Sequence, residues 1–146
     1  MRMVTGPKEA IGAWVAARIP HIESAADFGA YEAVGVQDAD GRMVAGCIYH
    51  NYLRRYANCE ISFAADTPRF ATRGVIRGLL SVPFGQYACR RVTLLVPIGA
   101  TRTIRFVSGI GFVREGCIRD MYDTKKHGLV YGMTVRDYDR LRRRIG

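Results

Sequence analysis

The sequence has few of the residues that would mark a metal site, a disulfide framework or a membrane span. The three histidines have no His-x-x-x-His or Cys-x-x-Cys partner, so no metal site is predicted. No run of about 18 apolar residues occurs, and the N-terminus lacks the apolar core of a secretion signal. We therefore expect a cytoplasmic protein with no membrane association.

Cysteine is sparse and widely spaced, which indicates neither a zinc ligand set nor a disulfide framework. The four cysteines are Cys47, Cys59, Cys89 and Cys117. Each falls inside an apolar pattern, so we expect all four to be reduced residues of the core.

Lysine is also rare and occurs only at Lys8, Lys125 and Lys126, although the formal net charge is +9. Nearly all of the positive charge is therefore arginine, whose guanidinium forms bidentate contacts with phosphate. This balance favours anionic partners, either nucleic acid or the phosphates of a nucleotide cofactor, with codon bias as the alternative. The cluster of Arg140 and Arg142–Arg144 is either a solvated tail or a nucleic-acid contact.

With 146 residues the chain has room for one domain with its own core. We divide it into an N-terminal helix and loop (1–30), a core (31–135) and a basic tail (136–146). β-Forming runs predict strands at 31–37, 43–52, 58–65, 91–96, 113–122 and 129–135. Turns are expected at 38–41 and 123–128.

Three helices are predicted, and a fourth is compatible with the tail from residue 136. The first has Thr5 as its cap and ends before Pro20, and a short helical turn follows at 24–28. The second begins at Pro68 with Thr67 as its cap and extends to about residue 87, with a kink or an early end at Pro83. The third covers 101–110.

The most informative stretch, Thr101 to Asp120, joins a helix, a glycine stop and a strand. Within it, Ile110-Gly-Phe-Val-Arg-Glu-Gly-Cys-Ile-Arg119 resembles the segment of the GNAT N-acetyltransferase superfamily that reads "lGF" and then "xxEGxxR". A generic helix-to-strand corner with a glycine cap is the alternative. Two other segments, Cys59–Phe63 and Pro83–Val92, resemble that superfamily in the same order. The likeness covers roughly residues 31–135 and is nearest to the branch of ribosomal-protein N-terminal acetyltransferases and phage-encoded members.

This resemblance implies an α/β GNAT fold, with a mixed, mostly antiparallel central sheet flanked by helices. It implies acetyl-CoA as the cofactor and direct attack by an amine acceptor, either a small molecule or a protein. No cysteine is marked as a nucleophile by a nearby histidine in the sequence pattern. The rival hypotheses are a GNAT scaffold that has lost catalysis and binds nucleic acid or a partner, and a transferase acting on nucleic acid or a nucleic-acid-bound protein. A monomer or a homodimer is expected.

The cofactor residues follow from the resemblance. The family motif Gln/Arg-x-x-Gly-x-Gly/Ala is matched from Arg69 to Gly74, with Thr72 at the middle glycine, and it would hold a pyrophosphate at a helix N-terminus. A second register, with Phe70 and Ala71 near the glycines, stays open. The full set of candidates is Ile61, Ser62, Phe63, Arg69, Phe70, Ala71, Thr72, Arg73, Gly74, Thr101 and Arg105.

Glu60 is the candidate general base, because an amine acceptor must lose a proton before it attacks. An exposed strand residue is the alternative reading of Glu60. Ala100 and Val107 stand where the family often has Asn and an acidic Tyr, so both of those polar groups are missing. Candidates to replace the Tyr are Tyr122, Ser108 and Tyr49, of which we choose Tyr122. The acceptor site is expected to be lined by Tyr31, His50 and Tyr52.

Overall fold

The computed structural model describes all 146 residues, and its centre is one seven-stranded sheet of order β1-β2-β3-β4-β5-β7-β6. The strands are β1 (Arg2–Val4), β2 (Tyr31–Gln37), β3 (Met43–Leu53), β4 (Asn58–Ala65), β5 (Arg91–Pro97), β6 (Val113–Asp123) and β7 (Lys126–Thr134). The helices are α1 (Lys8–Ala16), α2 (Arg73–Ser81), α3 (Thr101–Gly109) and α4 (Val135–Ile145). All neighbouring strands are antiparallel except β4 and β5. The predicted mixed, mostly antiparallel sheet flanked by helices is confirmed.

The two halves of the sheet meet at β4 and β5, which pair over only three residues each, ending at Glu60 with Thr93. Strand β4 continues to Ala65, so a gap opens between the two strands beyond Glu60. The main-chain N–H of Asp66, just after β4, donates to the carbonyl of Val44 in β3. In an antiparallel pair this means that the main-chain groups of the even-numbered residues of β4 face β3. The main-chain groups of Phe63 therefore face the gap.

The two faces of the sheet are covered by different helices. The side chains of α2, α3 and α4 pack with Ile61, Leu94 and Met133 in the main core. Helix α1 lies on the other face, mainly over β2 and β3, where Ile11 and Val15 are fully buried. We call these the α2–α3 face and the α1 face.

Two motif residues support the fold rather than a site. Arg91 makes a bidentate ion pair with Glu115, with N–O distances of 2.6 and 3.2 Å. The pair lies directly over Gly132 of β7, where a Cβ atom would collide with both side chains. Glu115 of the motif and Arg91 at the start of β5 thus join β6 to β5 across the intervening strand β7. Gly111, with φ of 108°, follows α3 as the predicted glycine stop.

The helix starts differ from those predicted. Helix α1 begins at Lys8 after an extended Pro7, not at a Thr5 cap. Thr67 does cap a turn, but this turn is a separate 3₁₀ segment of three residues. Helix α2 begins five residues later than predicted, because the Thr72 hydroxyl accepts the Val75 N–H. The helix then ends at Ser81 in a widened turn that contains Pro83, as the sequence indicated.

The remaining differences concern the ends of the chain and the last hairpin. Strand β1 was not predicted, since three residues carry little periodic signal. Strand β7 begins at Lys126, so the turn after β6 has two residues instead of six. Cys117 is exposed, contrary to the prediction, while the other three cysteines are buried and free. No helix is long and apolar enough to cross a membrane.

The basic tail is helix α4, which starts with a capping box between Thr134 and Asp137. Three of its arginines, Arg140, Arg142 and Arg144, bind within the chain. Arg142 pairs with Asp139 at 2.6 Å, and Arg144 donates to the Gly109 carbonyl at the end of α3 at 2.8 Å. The tail therefore braces α3 against the sheet.

Candidate functional site

A cleft of about 770 Å³ opens where β4 ends, between the start of α2 and helix α3. Phe63, Ala65 and Ala71 form its inner wall, and Arg102 and Arg105 stand on α3 at its rim. On the opposite rim Arg18 makes a bidentate pair with Asp66, with N–O distances of 2.8 and 3.2 Å. The mouth of the cleft is therefore rich in arginine.

A small apolar cavity of about 50 Å³ continues from this cleft into the α2–α3 face. Phe63, Phe70 and Phe106 line both spaces, with ring centroids 5.7 Å apart for Phe63–Phe106 and 5.6 Å for Phe70–Phe106. The inner end is lined by Leu94 and Val107, and 14 of the 15 lining residues are hydrophobic, so this end is apolar. The cleft and the cavity together form a channel with a polar mouth and an apolar end.

Two main-chain donors are free at the start of α2, which follows Ala71 of the cleft wall. The N–H groups of Arg73 and Gly74 open α2 and have no acceptor, since Thr72 caps only the Val75 N–H. A Cβ added at Gly74 would meet no neighbouring atom within 4 Å, so the side-chain side of Gly74 is open. Such a helix start favours an anion through its free amides and its dipole.

A polar cluster lies on the α1 face at the point where β4 and β5 separate. The Asn51 amide donates to Glu60 Oε1 at 3.0 Å, and the second carboxylate oxygen lies 3.5 Å from His50 Nε2. The same His50 nitrogen is 2.9 Å from the Ser62 hydroxyl. The carboxylate of Glu60 is thus held by two side chains of β3 and stays 20% exposed.

The protonation of His50 follows from its surroundings. Burial lowers the pKa of His50, and Glu60 opposes this only in part, so the ring is neutral at pH 7. Nδ1 is buried without a partner. The nearby carboxylate repels a lone pair on Nε2, which favours the tautomer with the proton on Nε2. The Nε2–H of His50 then donates to the Ser62 hydroxyl and turns its positive end towards the Glu60 carboxylate 3.5 Å away.

Tyr122 reaches this cluster from β6. Its ring lies beside Met121 next to Gly128, where an added Cβ would meet the Met121 sulfur and come within 3.3 Å of Tyr122 Cε2. The ring also packs against His21, with centroids 4.4 Å apart and the planes tilted by 43°. The hydroxyl is buried and has no partner. Burial raises the pKa of Tyr122, and the Glu60 charge adds to the rise, so the phenol keeps its proton at neutral pH.

The structure brings some of the sequence candidates together and separates others. Glu60, His50, Ser62 and Tyr122 share the α1 face. The channel is lined by Ile61, Phe63, Phe70, Ala71 and Arg105. Thr72, Arg73 and Gly74 form the start of α2, whereas Arg69 and Thr101 are exposed beside the mouth.

Neither Tyr31 nor Tyr52 bonds to the cluster, although Tyr31 pairs with His50 across β2 and β3 on the α1 face. The Tyr31 hydroxyl donates to the Lys8 carbonyl at 3.4 Å, beneath α1. Asn51 has φ of 49°, and this left-handed residue reverses the side-chain alternation of β3. Tyr52 therefore points to the other face, where it stacks on Tyr87 with centroids 5.0 Å apart. The other substitutes for the missing Tyr lie elsewhere: Tyr49 donates to the carbonyl of Leu79, and Ser108 is exposed on α3.

Sequence reasoning missed Asn51, His21 and the Arg18–Asp66 pair. These residues come from the bulge of β3, the loop after α1 and the end of β4, and they meet only through the tertiary fold. The one available signal was an Asn inside a β-forming run, since Asn tolerates the left-handed backbone that Asn51 adopts.

The comparisons with known proteins identify the fold. No protein-family model and no curated protein sequence matches the chain. Two crystal structures of mutant forms of the spermidine N-acetyltransferase SpeG from Vibrio cholerae are similar to it, with TM-scores of 0.65 and 0.68 and identities of 17% and 14%. They cover 75% and 77% of this chain, which in turn covers 67% and 71% of theirs. Another structure, described provisionally as an acetyltransferase, has a TM-score of 0.70 at 16% identity, over 80% of this chain and 63% of its own. At these identities the likeness establishes the fold, which is that of the GNAT N-acetyltransferases.

Proposed function

We propose that the protein is an acetyl-CoA-dependent N-acetyltransferase in which an amine acceptor attacks the thioester directly. The observation that carries this proposal is the gap between β4 and β5. A channel with an arginine-rich mouth and an apolar end leads to the gap from one face, and a carboxylate with a buried phenol lies at the gap on the other face. Donor and acceptor can therefore meet at one opening.

The channel would take coenzyme A with its pyrophosphate near the arginine-rich mouth and its pantetheine arm towards the gap. The free N–H groups of Arg73 and Gly74 would bind the pyrophosphate, and this supports the register from Arg69 to Gly74. The outward-facing main chain of Phe63 would pair with the pantetheine amides as an added strand does. Bound there, acetyl-CoA supplies an activated acetyl group as a thioester.

Glu60 would accept the proton that the acceptor amine loses on attack. Asn51 holds one oxygen of the carboxylate, and His50 lies against the other as a neutral donor. Both contacts come from β3, so they fix the direction in which the carboxylate faces the gap. His50 is thus a positioning residue, although the sequence had suggested that it lines the acceptor site.

Tyr122 would return a proton to the thiolate that leaves. At the position on α3 where the family often has Tyr, this chain has Val107, which is apolar and 1% exposed. That position of α3 therefore offers no proton donor. The Tyr122 phenol is protonated and has a free hydroxyl close enough to Glu60 for their charges to interact. The proton donor would then come from the acceptor face instead of the cofactor face.

Finer features of the proposal rest on sequence patterns. The Cys59–Phe63 and Pro83–Val92 segments support a place near the ribosomal-protein N-terminal acetyltransferase and phage-encoded branch. A single domain, a cytoplasmic location and a monomer or homodimer belong to the same proposal. The nucleic-acid partner receives no support from the structural neighbours, which are named for acetylation of spermidine.

The test is the release of free thiol from acetyl-CoA in the presence of a panel of primary amines. We expect amine-dependent release that is lost in Glu60→Gln while acetyl-CoA still binds. Binding of acetyl-CoA with no release for any amine would favour the rival hypothesis of a scaffold without catalysis. Failure to bind acetyl-CoA would overturn the proposal itself.

A further inference from the structure

A separate cleft, of about 410 Å³, lies at the opposite end of the sheet from the cofactor channel, where β4 and β5 begin and β7 ends. Asn58 pairs with Arg91 and Arg91 with Thr134, so three strands bring its walls together. It shares no residue with the channel. We call it the arginine cleft, and it is lined by Tyr56, Arg90, Arg91, Thr134, Val135 and Arg136.

Two guanidinium groups of the arginine cleft have no carboxylate partner. Arg136 forms no ion pair, and Arg90 forms none either but donates to the main-chain carbonyl of Tyr56 at 3.1 Å. Both arginines are exposed, and no acidic residue lines the cleft. An anion entering it would therefore meet two positive charges that nothing in the protein balances.

The carboxylates around the cleft are paired with other arginines. Glu115 makes its bidentate contact with Arg91. On α4, Asp137 pairs with Arg140, and Asp139 pairs with Arg142. These acids offset the charges of three arginines and leave those of Arg90 and Arg136 in excess. The cleft thus has a net positive charge that favours an anionic ligand.

An exposed aromatic ring belongs to the same cleft. Tyr56 is 57% exposed, and its ring contacts no other aromatic ring of the chain. The Arg55 guanidinium lies 5.6 Å from the centre of the ring. Val135, also exposed, adds an apolar surface to the cleft. An exposed ring beside arginines is a surface on which a nucleic-acid base can stack while its phosphates bind the guanidinium groups.

The positive charge continues from the cleft along α4. Arg136, Arg140 and Arg143 follow one another at spacings of four and three residues, so they lie along one side of the helix. All three are exposed. A chain of phosphates that leaves the cleft at Arg136 would meet this row next.

We propose that the arginine cleft binds a single-stranded nucleic acid, RNA or DNA, with a base stacked on Tyr56 and phosphates at Arg90 and Arg136. Arginine suits phosphate because its planar guanidinium forms bidentate contacts. A single strand suits the ring because its bases are free to stack on protein, whereas those of a duplex stack on each other. This site is independent of the proposed acetyl transfer, since it lies at the other end of β4 from the cofactor channel.

Other anionic partners fit the cleft less well. A bilayer presents a wide and nearly flat surface, whereas these groups line a concave space. An acidic peptide supplies carboxylates but no row of bases for the exposed ring. Both partners are included in the test as alternatives.

Fluorescence anisotropy with labelled oligonucleotides tests the stacking contact. We would measure Kd for a single-stranded oligouridylate, an oligodeoxythymidylate and a duplex, all of the same length, and we expect both single strands to bind more tightly than the duplex. Comparison of the two single strands shows whether RNA or DNA is preferred. Tyr56→Ala should raise the Kd of the preferred strand by about five- to a hundredfold, as loss of one stacked base does. Tyr56→Phe, which keeps the ring, should bind like the wild type.

Charge reversal tests the location of the site. The double variant Arg55→Glu with Arg136→Glu should raise Kd by about tenfold or more. It should also lower the slope of log Kd against log salt concentration by about 1.4, as expected for two phosphate contacts of a single strand. Arg42→Glu with Arg119→Glu is the control, because it makes the same charge change at two exposed arginines without ion pairs outside the cleft. The control should raise Kd by no more than about threefold, since distant charges are screened.

Thermal unfolding shows that each variant is folded, and the binding data then decide. Equal losses in the two double variants, unchanged binding by Tyr56→Ala, or tighter binding of the duplex would overturn the inference. Preferential binding to phosphatidylserine–phosphatidylcholine vesicles, or displacement of the oligonucleotide by polyglutamate at equal charge, would also overturn it and would indicate a membrane or an acidic protein. None of these measurements depends on acetyl transfer, so the inference and the proposed function can fail separately.

Discussion

The start of α2 allows the proposed pyrophosphate site to be tested without harming the fold. Arg73 is the first residue of the helix, and its N–H has no acceptor in the protein. Thr72 before it is extended, with φ of −71° and ψ of 158°, which is the backbone that a following proline requires. Arg73→Pro therefore removes one donor from the site at a position where helices accept proline.

The expected effects on stability and on binding have opposite signs. Proline at a compatible position stabilises by about 0.4–1 kcal/mol, because it restricts the unfolded chain. The lost hydrogen bond to a phosphate oxygen is a bond to a charged group, which contributes about 1.5–3 kcal/mol. We expect Arg73→Pro to unfold at the same or a higher temperature while its Kd for acetyl-CoA rises by about ten- to a hundredfold.

Arg73→Ala is the matched control, since it removes the guanidinium and keeps the N–H. An exposed arginine contact contributes about 1 kcal/mol or less, so its Kd should rise by no more than about fivefold. Calorimetric titration of the two variants and the wild type gives the comparison. Equal affinities in Arg73→Pro and Arg73→Ala, with both variants folded, would refute a pyrophosphate bound by the amides of α2.

Three further predictions follow from the acceptor face. Glu60→Gln should lower turnover by about 10²–10⁴-fold with unchanged acetyl-CoA affinity. Glu32→Gln, which changes an exposed carboxylate of β2, is the control, and an equal loss of turnover in it would contradict a specific role for Glu60. Gly128→Val should collide with the Met121 side chain, crowd the Tyr122 ring beside it and cost about 1–3 kcal/mol, whereas Gly85→Ala, which meets no neighbour, should change neither stability nor turnover. Burial lowers the pKa of His50, so below about pH 6.5 the unfolded chain binds a proton that the folded chain does not. As the pH is lowered through this range, the free energy of unfolding should therefore fall by up to about 1.4 kcal/mol per pH unit. Urea denaturation at pH 7.5 and 5.5 should show this fall reduced in His50→Gln; an equal fall in both proteins would contradict the assignment.

Much of the fold could be predicted because local signals agree with it. Strands β2 and β4 have the predicted bounds, since alternation and flanking turns mark both ends of each. The kink at Pro83 and the glycine stop at Gly111 follow from the backbone requirements of those two residues. The start of α2 was misplaced because Thr67 and Thr72 are both good caps, and only the packing of Phe70 into the core selects the second.

The site was harder to predict, because its contacts join distant segments. Glu60 and His50 were proposed from a family pattern and a residue type, but their 3.5 Å contact depends on the register of β3 with β4. Tyr52 was expected beside His50 and lies on the other face, since the left-handed Asn51 between them reverses the alternation. A backbone reversal of one residue has no periodic signature in the sequence.

The central claim is that the gap between β4 and β5 is a binding site for acetyl-CoA, and thermal unfolding with this ligand tests it most directly. A ligand present at about 100 times its Kd stabilises the folded state by about 2.7 kcal/mol. For a chain of this size that corresponds to a rise of about 5–10 °C in the unfolding midpoint. We predict such a rise, reduced in Arg73→Pro at the same ligand concentration. An unchanged midpoint at millimolar acetyl-CoA would contradict the account.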